Sequence, residues 1–473
     1  MGQRSLLVVL IAVAAGCGDN DSAPDPGPDL NEGATSGTRL KLRYYDFGNV
    51  RELAGVRDAQ RSEDCTPSEW ADGNAYCVPT SAGSLLYQDP SCTERVGVVP
   101  MDPVCTRSPP SYFVDYLSTA CDTKLAHIYP RAAKLAVTEV YSKNSNGSCS
   151  GPSSSARSDV YALGAEIAVA DLAEITITSP SMTGRLGQRY YESPDGLHYP
   201  VPDRVRDAML GGECSLSSDA PGSDTGSCLP SKSAGMYQFS DAACTQSHVT
   251  VDSACPAPKV ATNFAACPYD PPRYYALGAL LTLTTVYYQA GMTCSPTPAS
   301  PAESYYGVGA EVALAQATRT RGTGAGRLQP IHFTTPEGLL HRDTTLFDSQ
   351  IGVECSVRQQ ADGSVACVPP TGQTQTYYTD AGCTTAVDLM QVYRRDMTCS
   401  PAPAPAYAIK YNFTASCEAP LYEVRHVGAQ LTSALYVKNG TACNAANQAF
   451  VRYQLADVVP QSELAAGTLV TEP

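Results

Sequence analysis

The sequence predicts an all-β protein built from three tandem repeats of about 140 residues each. Short runs rich in Tyr, Val and Leu alternate with clusters of turn residues, which is typical of about eight strands per repeat. The pattern C…G…C-[VL]-P…[YF]-x-D-x-x-C occurs three times, starting at Cys65, Cys214 and Cys355. Eight strands make two four-stranded blades, so we expect a β-propeller of six blades, with three tandem β-sandwich or barrel domains as the alternative.

Residues 1–16 have the pattern of a signal peptide. Arg4 supplies the basic start, and the apolar run from Ser5 to Ala15 is too short to span a bilayer. The run leads into Val-Ala-Ala-Gly-Cys17, which resembles a bacterial lipobox and implies cleavage before Cys17 and lipidation of that residue. An ordinary secretory signal cut near Ala-x-Gly is the alternative. Cys17 is also the one cysteine outside the repeats, which favours lipidation.

Residues 17–36 are acidic and rich in Pro and Gly, so we expect a lipidated Cys17 followed by a disordered tether. The repeats then occupy residues 37–183, 184–325 and 326–473. Each repeat opens on the dipeptide Arg-Leu, at Arg39-Leu40, Arg185-Leu186 and Arg327-Leu328.

The other eighteen of the nineteen cysteines divide evenly, six to a repeat. An even set without a CxxC pair or interleaved His indicates disulfide bonds rather than zinc, and therefore an oxidising compartment. Six cysteines allow many connectivities, and we expect neighbours to pair because each pair flanks an expected hairpin. The expected bonds are Cys65–Cys77, Cys92–Cys105, Cys121–Cys149, Cys214–Cys228, Cys244–Cys255, Cys267–Cys294, Cys355–Cys367, Cys383–Cys399 and Cys417–Cys443.

Two sets of acidic residues recur at equivalent positions, Asp89, Asp241 and Asp380, and Glu166, Glu311 and Asp457. An Asp three residues before a Cys is typical of a turn in which the carboxylate accepts bonds from its own loop. The alternatives are a ring of carboxylates that binds a cation or a carbohydrate, or a catalytic pair for glycoside hydrolysis.

Charge and motifs exclude several function classes. The formal net charge of −15 argues against nucleic acid or anionic lipid as a partner. There is no G-x-S-x-G, no H-E-x-x-H and no glycine-rich phosphate loop between a strand and a helix. We therefore predict no catalytic residue, no metal site and no cofactor. The six histidines are scattered, at His127, His198, His248, His332, His341 and His426.

The repeat resembles uncharacterised cysteine-patterned tandem-repeat lipoproteins of Gram-negative soil bacteria. The resemblance rests on the Arg-Leu openings, on Asp-Gly hairpins such as Asp72-Gly73 and Asp362-Gly363, and on the Tyr-x-Asp-x-x-Cys motif. It implies an envelope location and a repeat fold but no activity. Gly18 rather than Asp follows Cys17, so the common inner-membrane retention signal is missing, which favours the outer membrane.

We therefore expect a lipid-anchored envelope protein with a binding or structural role toward an extracellular protein or carbohydrate. An envelope glycosidase or lyase on a propeller scaffold is the alternative.

Overall fold

The computed structural model describes residues 33–80, 82–101, 109–118, 121–144, 147–156, 158–180, 182, 184–219, 222–263, 272–290, 293–322, 326–360, 363–393, 404–412, 421–447 and 449–473. Within these residues the chain forms β-strands and two 3-10 helices, at Val169–Asp171 and Gln461–Glu463, and no α-helix. The prediction of an all-β protein is confirmed. Residues 1–32, including Cys17 and the expected signal peptide, lie outside the described part.

The strands are numbered along the chain. The first repeat contains β1 (Leu40–Asp46), β2 (Arg51–Asp58), β3 (Glu63–Glu69), β4 (Ala75–Pro79), β5 (Ala82–Tyr87), β6 (Arg95–Pro100), β7 (Tyr112–Ser118), β8 (Thr123–Leu135), β9 (Glu139–Lys143), β10 (Cys149–Ser154), β11 (Ser158–Leu163) and β12 (Glu174–Thr178). The second contains β13 (Leu186–Glu192), β14 (His198–Asp207), β15 (Gly212–Ser218), β16 (Thr225–Pro230), β17 (Ala234–Gly235), β18 (Gln238–Phe239), β19 (Ser247–Asp252), β20 (Val260–Asn263), β21 (Arg273–Leu281), β22 (Thr285–Ala290), β23 (Thr293–Pro298), β24 (Glu303–Glu311) and β25 (Gln316–Arg321). The third contains β26 (Leu328–Thr334), β27 (Leu340–Asp348), β28 (Val353–Gln359), β29 (Val365–Val368), β30 (Thr371–Tyr378), β31 (Ala386–Tyr393), β32 (Tyr407–Asn412), β33 (Leu421–Leu431), β34 (Tyr436–Asn439), β35 (Ala442–Ala445), β36 (Phe450–Val458) and β37 (Ala465–Thr471).

One closed barrel joins all three repeats. Each repeat contributes five strands in the same order, β1-β2-β3-β4-β12, then β13-β14-β15-β16-β25, then β26-β27-β28-β29-β37. The last strand of each repeat pairs antiparallel with the first strand of the next, and β37 pairs with β1 to close the ring, with Arg43 opposite Thr471. The barrel is therefore a property of the whole chain.

Each repeat inserts a second sheet between its fourth and fifth barrel strands. In the first repeat this sheet has the order β10-β9-β5-β6-β11-β8-β7. Its five strands from β5 to β7 close on themselves, because β5 also pairs parallel with β7. The third repeat has the equivalent sheet, closed by the pairing of β30 with β31. In the second repeat the strand equivalent to β5 is split into β17 and β18.

This topology shows that the expected six-bladed propeller is wrong. Strands assigned to separate radial blades lie instead in one continuous ladder. The physical reason is that the fifth strand of each repeat completes the ladder of the following repeat, rather than a blade of its own. The alternative of tandem β domains is compatible with the three inserted sheets, each of which is confined to one repeat.

The barrel strands bury one face, as the period of two in their sequence requires. In β1, Leu40, Leu42 and Tyr44 are buried, whereas Lys41 and Arg43 remain partly exposed. On the other face of the barrel wall, Trp70 and Tyr76 pack with Leu125, Ile128 and their neighbours in the inserted sheet. Burial on both sides fixes the register of the wall, because a slip of one residue would reverse every side chain.

The arginine of each Arg-Leu opening forms an ion pair with a fully buried aspartate at the end of the second barrel strand. The Nη2–Oδ2 distances are 2.7 Å for Arg39–Asp58, 2.9 Å for Arg185–Asp207 and 2.8 Å for Arg327–Asp348. The same carboxylates accept backbone N–H groups of the following turn, as Asp58 does from Gln60 and Arg61. The opening motif thus links two strands and the turn after them.

Three of the expected disulfide bonds are present, Cys65–Cys77, Cys214–Cys228 and Cys355–Cys367. All six of these cysteines are buried in hydrophobic clusters of the barrel. Each bond staples the hairpin of the third and fourth barrel strands of its repeat.

The other six expected pairings are wrong, because at least one cysteine of each is bonded to a different partner. Cys92 bonds to Cys149 rather than to Cys105, Cys244 to Cys294 rather than to Cys255 or Cys267, and Cys383 to Cys443 rather than to Cys399 or Cys417. The reason is that the hairpin β9–β10 folds back onto β5, with Tyr141 opposite Tyr87, and carries the sixth cysteine of the repeat to the third. Cys121 is bonded to Cys255 of the second repeat rather than to Cys149. Cys105, Cys267, Cys399 and Cys417 lie outside the described residues.

Candidate functional site

Three hairpin tips lie at one end of the barrel. They belong to β1–β2, β13–β14 and β26–β27, and each tip reaches the glycine that opens a different repeat. A Cβ atom added to that glycine would overlap the side chain of the tip, in the pairs Gly37 with Asp195, Gly184 with Glu337 and Gly326 with Asn49. Glycine permits this close approach, because a larger residue would displace the side chain of the tip, and the three contacts connect each repeat to a neighbour at this end.

The segment just before the first barrel strand is docked on the same end. Thr35 exchanges two backbone hydrogen bonds with His198, of 2.7 and 2.9 Å. The Asp195 carboxylate accepts the backbone N–H groups of Arg39, at 2.7 Å, and Leu40, at 2.9 Å. Residues 33–36, which we expected to be part of a disordered tether, therefore belong to the folded body.

The docked segment and all three repeats enclose a pocket with a volume of about 220 Å³. This is smaller than the ~300–1,000 Å³ typical of sites for drug-sized ligands. The residues that shape it include Ala34 of the docked segment, Glu52 and Leu53 of the first repeat, Gln188, Tyr190 and His198 of the second, and His341, Arg342 and Asp343 of the third.

The pocket lies where the three repeats differ. By strand register, the position of Leu53 in the first repeat corresponds to Pro200 in the second and Arg342 in the third. The preceding position is Glu52, Tyr199 and His341. Repetition alone would give equivalent side chains, so the chemistry of this pocket is not a by-product of the repeat.

Ion pairs surround the pocket. Arg342 Nη2 lies 2.7 Å from Glu52 Oε2, and both side chains are largely buried. Arg319, whose side chain is 5% exposed, donates to Asp343 Oδ2 at 2.7 Å and to Glu354 Oε2 at 2.9 Å. Each charged side chain of the Glu52–Arg342–Asp343 group thus has a partner of opposite sign, and buried charges require such partners.

His341 is the most enclosed ionisable group of the pocket. Its Nδ1 lies 2.8 Å from Gln188 Oε1, which assigns the proton to Nδ1 and leaves Nε2 as an acceptor. Burial lowers the pKa of His341 to about 4, against the opposing effect of the Asp343 carboxylate. The imidazole is therefore neutral at neutral pH.

An aromatic wall completes the site. The rings of Tyr190 and His198 stack with centroids 4.6 Å apart and an interplanar angle of 16°. A second pocket, of about 210 Å³, lies between Met182, Gly184 and Glu337, and shares Gln188 and Tyr190 with the first. The two side chains thus form a partition between adjacent pockets at the same end of the barrel.

A model of a family of unknown function, DUF7481, matches residues 9–455. The chain belongs to this family. No curated protein and no solved structure matches the chain.

The repeated aspartates of this DUF7481 chain lie on the inserted sheets, away from the pocket. Each carboxylate accepts backbone N–H groups four and five residues ahead, as Asp380 does from Thr384 and Thr385. The N–H groups of Thr385 and Thr384 lower the pKa of Asp380 to about 2. Asp89 and Asp241 make the equivalent bonds. These acids organise the turn of the third cysteine in each repeat, where Cys92, Cys244 and Cys383 have positive φ.

The second set of acids lies near the end of the last strand of each inserted sheet, with Glu166 three residues after β11, Glu311 at the end of β24 and Asp457 near the end of β36. Glu166 Oε1 is 2.6 Å from His127 Nδ1, and Glu311 is exposed at the end of β24. In the part of the DUF7481 chain that the structure describes, no three His, Cys, Asp or Glu side chains are grouped so that they would hold a metal ion. The described residues also include no helix long and apolar enough to cross a membrane.

Sequence reasoning missed the pocket because its residues belong to no motif. His198 and His341 lie 143 positions apart, in the second and third repeats, and Glu52 belongs to the first repeat. The sequence carried one signal for the pocket, which is that the three repeats differ at equivalent hairpin positions. Aligned on their hairpins, the repeats read Glu52-Leu-Ala, Tyr199-Pro-Val and His341-Arg-Asp, and these triplets have no residue in common.

Proposed function

We propose that the chain is a lipid-anchored, disulfide-stabilised protein of the cell envelope that binds a small ligand in the pocket at the shared end of the barrel. The observation that carries the binding role is this pocket, which all three repeats enclose with non-equivalent side chains. The seven disulfide bonds among the described residues suit an oxidising compartment, and the lipobox-like sequence before Cys17 supports the anchor.

Binding fits the electrostatics of the pocket better than catalysis does. A glycosidase needs one carboxyl group with a raised pKa as general acid and a second carboxylate as nucleophile or base. Glu52 is paired with Arg342 and Asp343 with Arg319. Both carboxylates are thus already engaged by an arginine, so neither is free to act on a bound substrate.

The alternative of an envelope glycosidase or lyase is favoured by one observation, the presence of two carboxylates and a neutral imidazole around one pocket. It is tested by incubating the purified chain with bacterial envelope polysaccharide and measuring new reducing ends. Release that is lost in both Glu52→Gln and Asp343→Asn would support the enzyme, whereas no release supports binding alone.

The anchor is tested by replacing Cys17 with Ser. The wild-type chain should incorporate labelled palmitate and sediment with outer membranes, because acylation adds about 0.8 kcal/mol of membrane affinity per buried CH₂ group. The variant should incorporate none and appear in the soluble fraction. Continued membrane association of the variant would contradict the lipid anchor.

The position of the docked segment, residues 33–36, also supports a lipid anchor at Cys17. The chain reaches the body through residues 33–38, which lie at the pocket end of the barrel. Sixteen residues separate Cys17 from Ala34, and a chain of that length spans at most about 55 Å. An anchored molecule would therefore hold its pocket end within this distance of the membrane.

A further inference from the structure

We infer that the ligand of this pocket is a small uncharged polyhydroxy molecule, of the size of one sugar ring. This inference rests on the proposed binding role and adds the chemical class of the ligand. It depends on the size of the pocket, the pairing of its charges, and its division into polar and apolar walls.

The size of the pocket sets the first limit. A volume of about 220 Å³ is below the range of ~300–1,000 Å³ that is typical of drug-sized ligands, and it suits a ligand of the size of one hexose or pentose ring. The neighbouring pocket of about 210 Å³, beyond Gln188 and Tyr190, offers room for a substituent or a second ring.

The paired charges exclude an ionic ligand as the natural occupant. Arg342 is neutralised by Glu52, and Asp343 by Arg319. An anion in the pocket would meet the Glu52 and Asp343 carboxylates, and a cation would meet Arg342. Either ion would exchange its hydration shell for a site whose charges are already paired, which is unfavourable.

The polar groups suit hydroxyls, because they include both donors and acceptors. Arg342 presents N–H donors, while the carboxylates of Glu52 and Asp343 and Nε2 of His341 accept hydrogen bonds. A sugar hydroxyl donates and accepts at once, so it can bridge such groups without carrying charge.

The remaining walls suit the C–H face of a sugar ring. Tyr190 and His198 form a stacked aromatic wall, and Leu53, Val201 and Leu340 add aliphatic surface. Flat, partly apolar faces stack on aromatic rings, while the polar edge of the ligand faces the hydrogen-bonding groups. A charged or fully apolar ligand would use only one of these walls.

The test is a titration of the secreted Cys17→Ser chain with a matched series of probes. Glucose and galactose represent the neutral ring, glucuronate adds a carboxylate and glucosamine adds an ammonium group, and binding is followed by ligand-observed NMR. At least one neutral hexose should bind saturably, and glucuronate and glucosamine should bind at least tenfold more weakly.

Two variants link this binding to the pocket. Ala34→Trp fills the pocket from the docked segment without altering a barrel strand, and should weaken hexose binding at least tenfold. Tyr190→Ala removes the stacking wall and should do the same. Ala59→Trp, at an exposed turn between β2 and β3, is the matched control and should leave the Kd unchanged.

Three results would overturn the inference. They differ in whether they also reject the site or the proposed binding role. In the first result, glucuronate or glucosamine binds more tightly than every hexose, and this binding is lost in Ala34→Trp. That result would reject the ligand class but retain the binding role. Hexose binding that Ala34→Trp leaves intact would reject the site. A chain that binds none of the probes at millimolar concentration would reject both the ligand class and the proposed pocket function.

Discussion

An acidic residue directly precedes the first cysteine of each repeat, at Asp64, Glu213 and Glu354. Each acid is paired with an arginine, in the pairs Asp64–Arg43, Glu213–Arg189 and Glu354–Arg319. Arg43 and Arg189 occupy the same position on the first strand of their repeats, but the third repeat has Ile331 there. Its arginine comes from β25 of the preceding repeat. This exchange of partners links the third repeat to the second across the closed ladder.

His341 gives a prediction at the same scale. Its pKa is lowered to about 4 in the folded chain, from an ordinary value of 6.5. Between these two pH values the unfolded chain binds a proton that the folded chain does not, so the free energy of unfolding falls as the pH falls from 6.5 to 4. The loss should be on the order of 3 kcal/mol, and His341→Gln should remove it, as measured by urea unfolding across this range.

The comparison between variant and wild type is essential here, because burial also lowers the pKa of His248. His248 adds to the slope of the wild type in the same direction. A His341→Gln chain whose stability depends on pH as steeply as that of the wild type would show that His341 is not neutral in the folded state.

At the scale of elements, the contacts between hairpin tips and opening glycines hold one end of the barrel together. Gly37 has an ordinary φ, so its requirement for glycine comes from the Asp195 carboxylate beside it. Gly37→Ala should therefore lower the free energy of unfolding by about 1–3 kcal/mol, the usual cost of overpacking a close contact. The measurement is urea denaturation of the Cys17→Ser chain.

Gly212 is the matched control for this substitution. It lies in the barrel strand β15, also with an ordinary φ, and nothing lies within 4 Å of an added Cβ. Gly212→Ala should leave the stability unchanged or raise it slightly. Equal effects of the two substitutions would contradict the role of the hairpin tips.

The disulfide bonds of the inserted sheets also belong to this scale. Pairing of β5 with β9 brings the third and sixth cysteines of the first repeat together, and Tyr378 opposite Tyr436 does so in the third. The spacing of the cysteines in the sequence predicted bonds between neighbouring cysteines. Spacing identifies hairpins, but it does not show the strand onto which a hairpin folds. The three barrel bonds were predictable, since both cysteines of each belong to one hairpin.

Peptide mapping of the unreduced chain tests these connections. Digestion followed by mass spectrometry should recover linked peptides that contain Cys92–Cys149, Cys244–Cys294 and Cys383–Cys443. Reduction should separate each pair. Recovery of Cys92–Cys105 and Cys383–Cys399 instead would contradict the fold of the inserted sheets.

At the scale of the whole molecule, the sequence predicted the all-β class better than the assembly of the strands. The expectation of about eight strands per repeat is too low, because the described residues form twelve strands in the first and third repeats and thirteen in the second. A period of about 140 residues says that three similar units exist, but not which strands pair across the boundaries. That choice is made by β12, β25 and β37, which complete the ladder of a neighbouring repeat. The pocket was hidden for the same reason, because it forms only when the ring closes and brings Glu52 to Arg342.

The ring is closed by the pairing of β1 with β37, and hydrogen exchange on a truncated chain tests this pairing. Removal of residues 465–473 deletes β37, whose neighbours are β1 and β29. We expect faster amide exchange in β1, more than 400 residues away in sequence, and in β29, while the inserted sheet of the first repeat keeps its protection. Unchanged protection of β1 in the truncated chain would contradict the closed barrel.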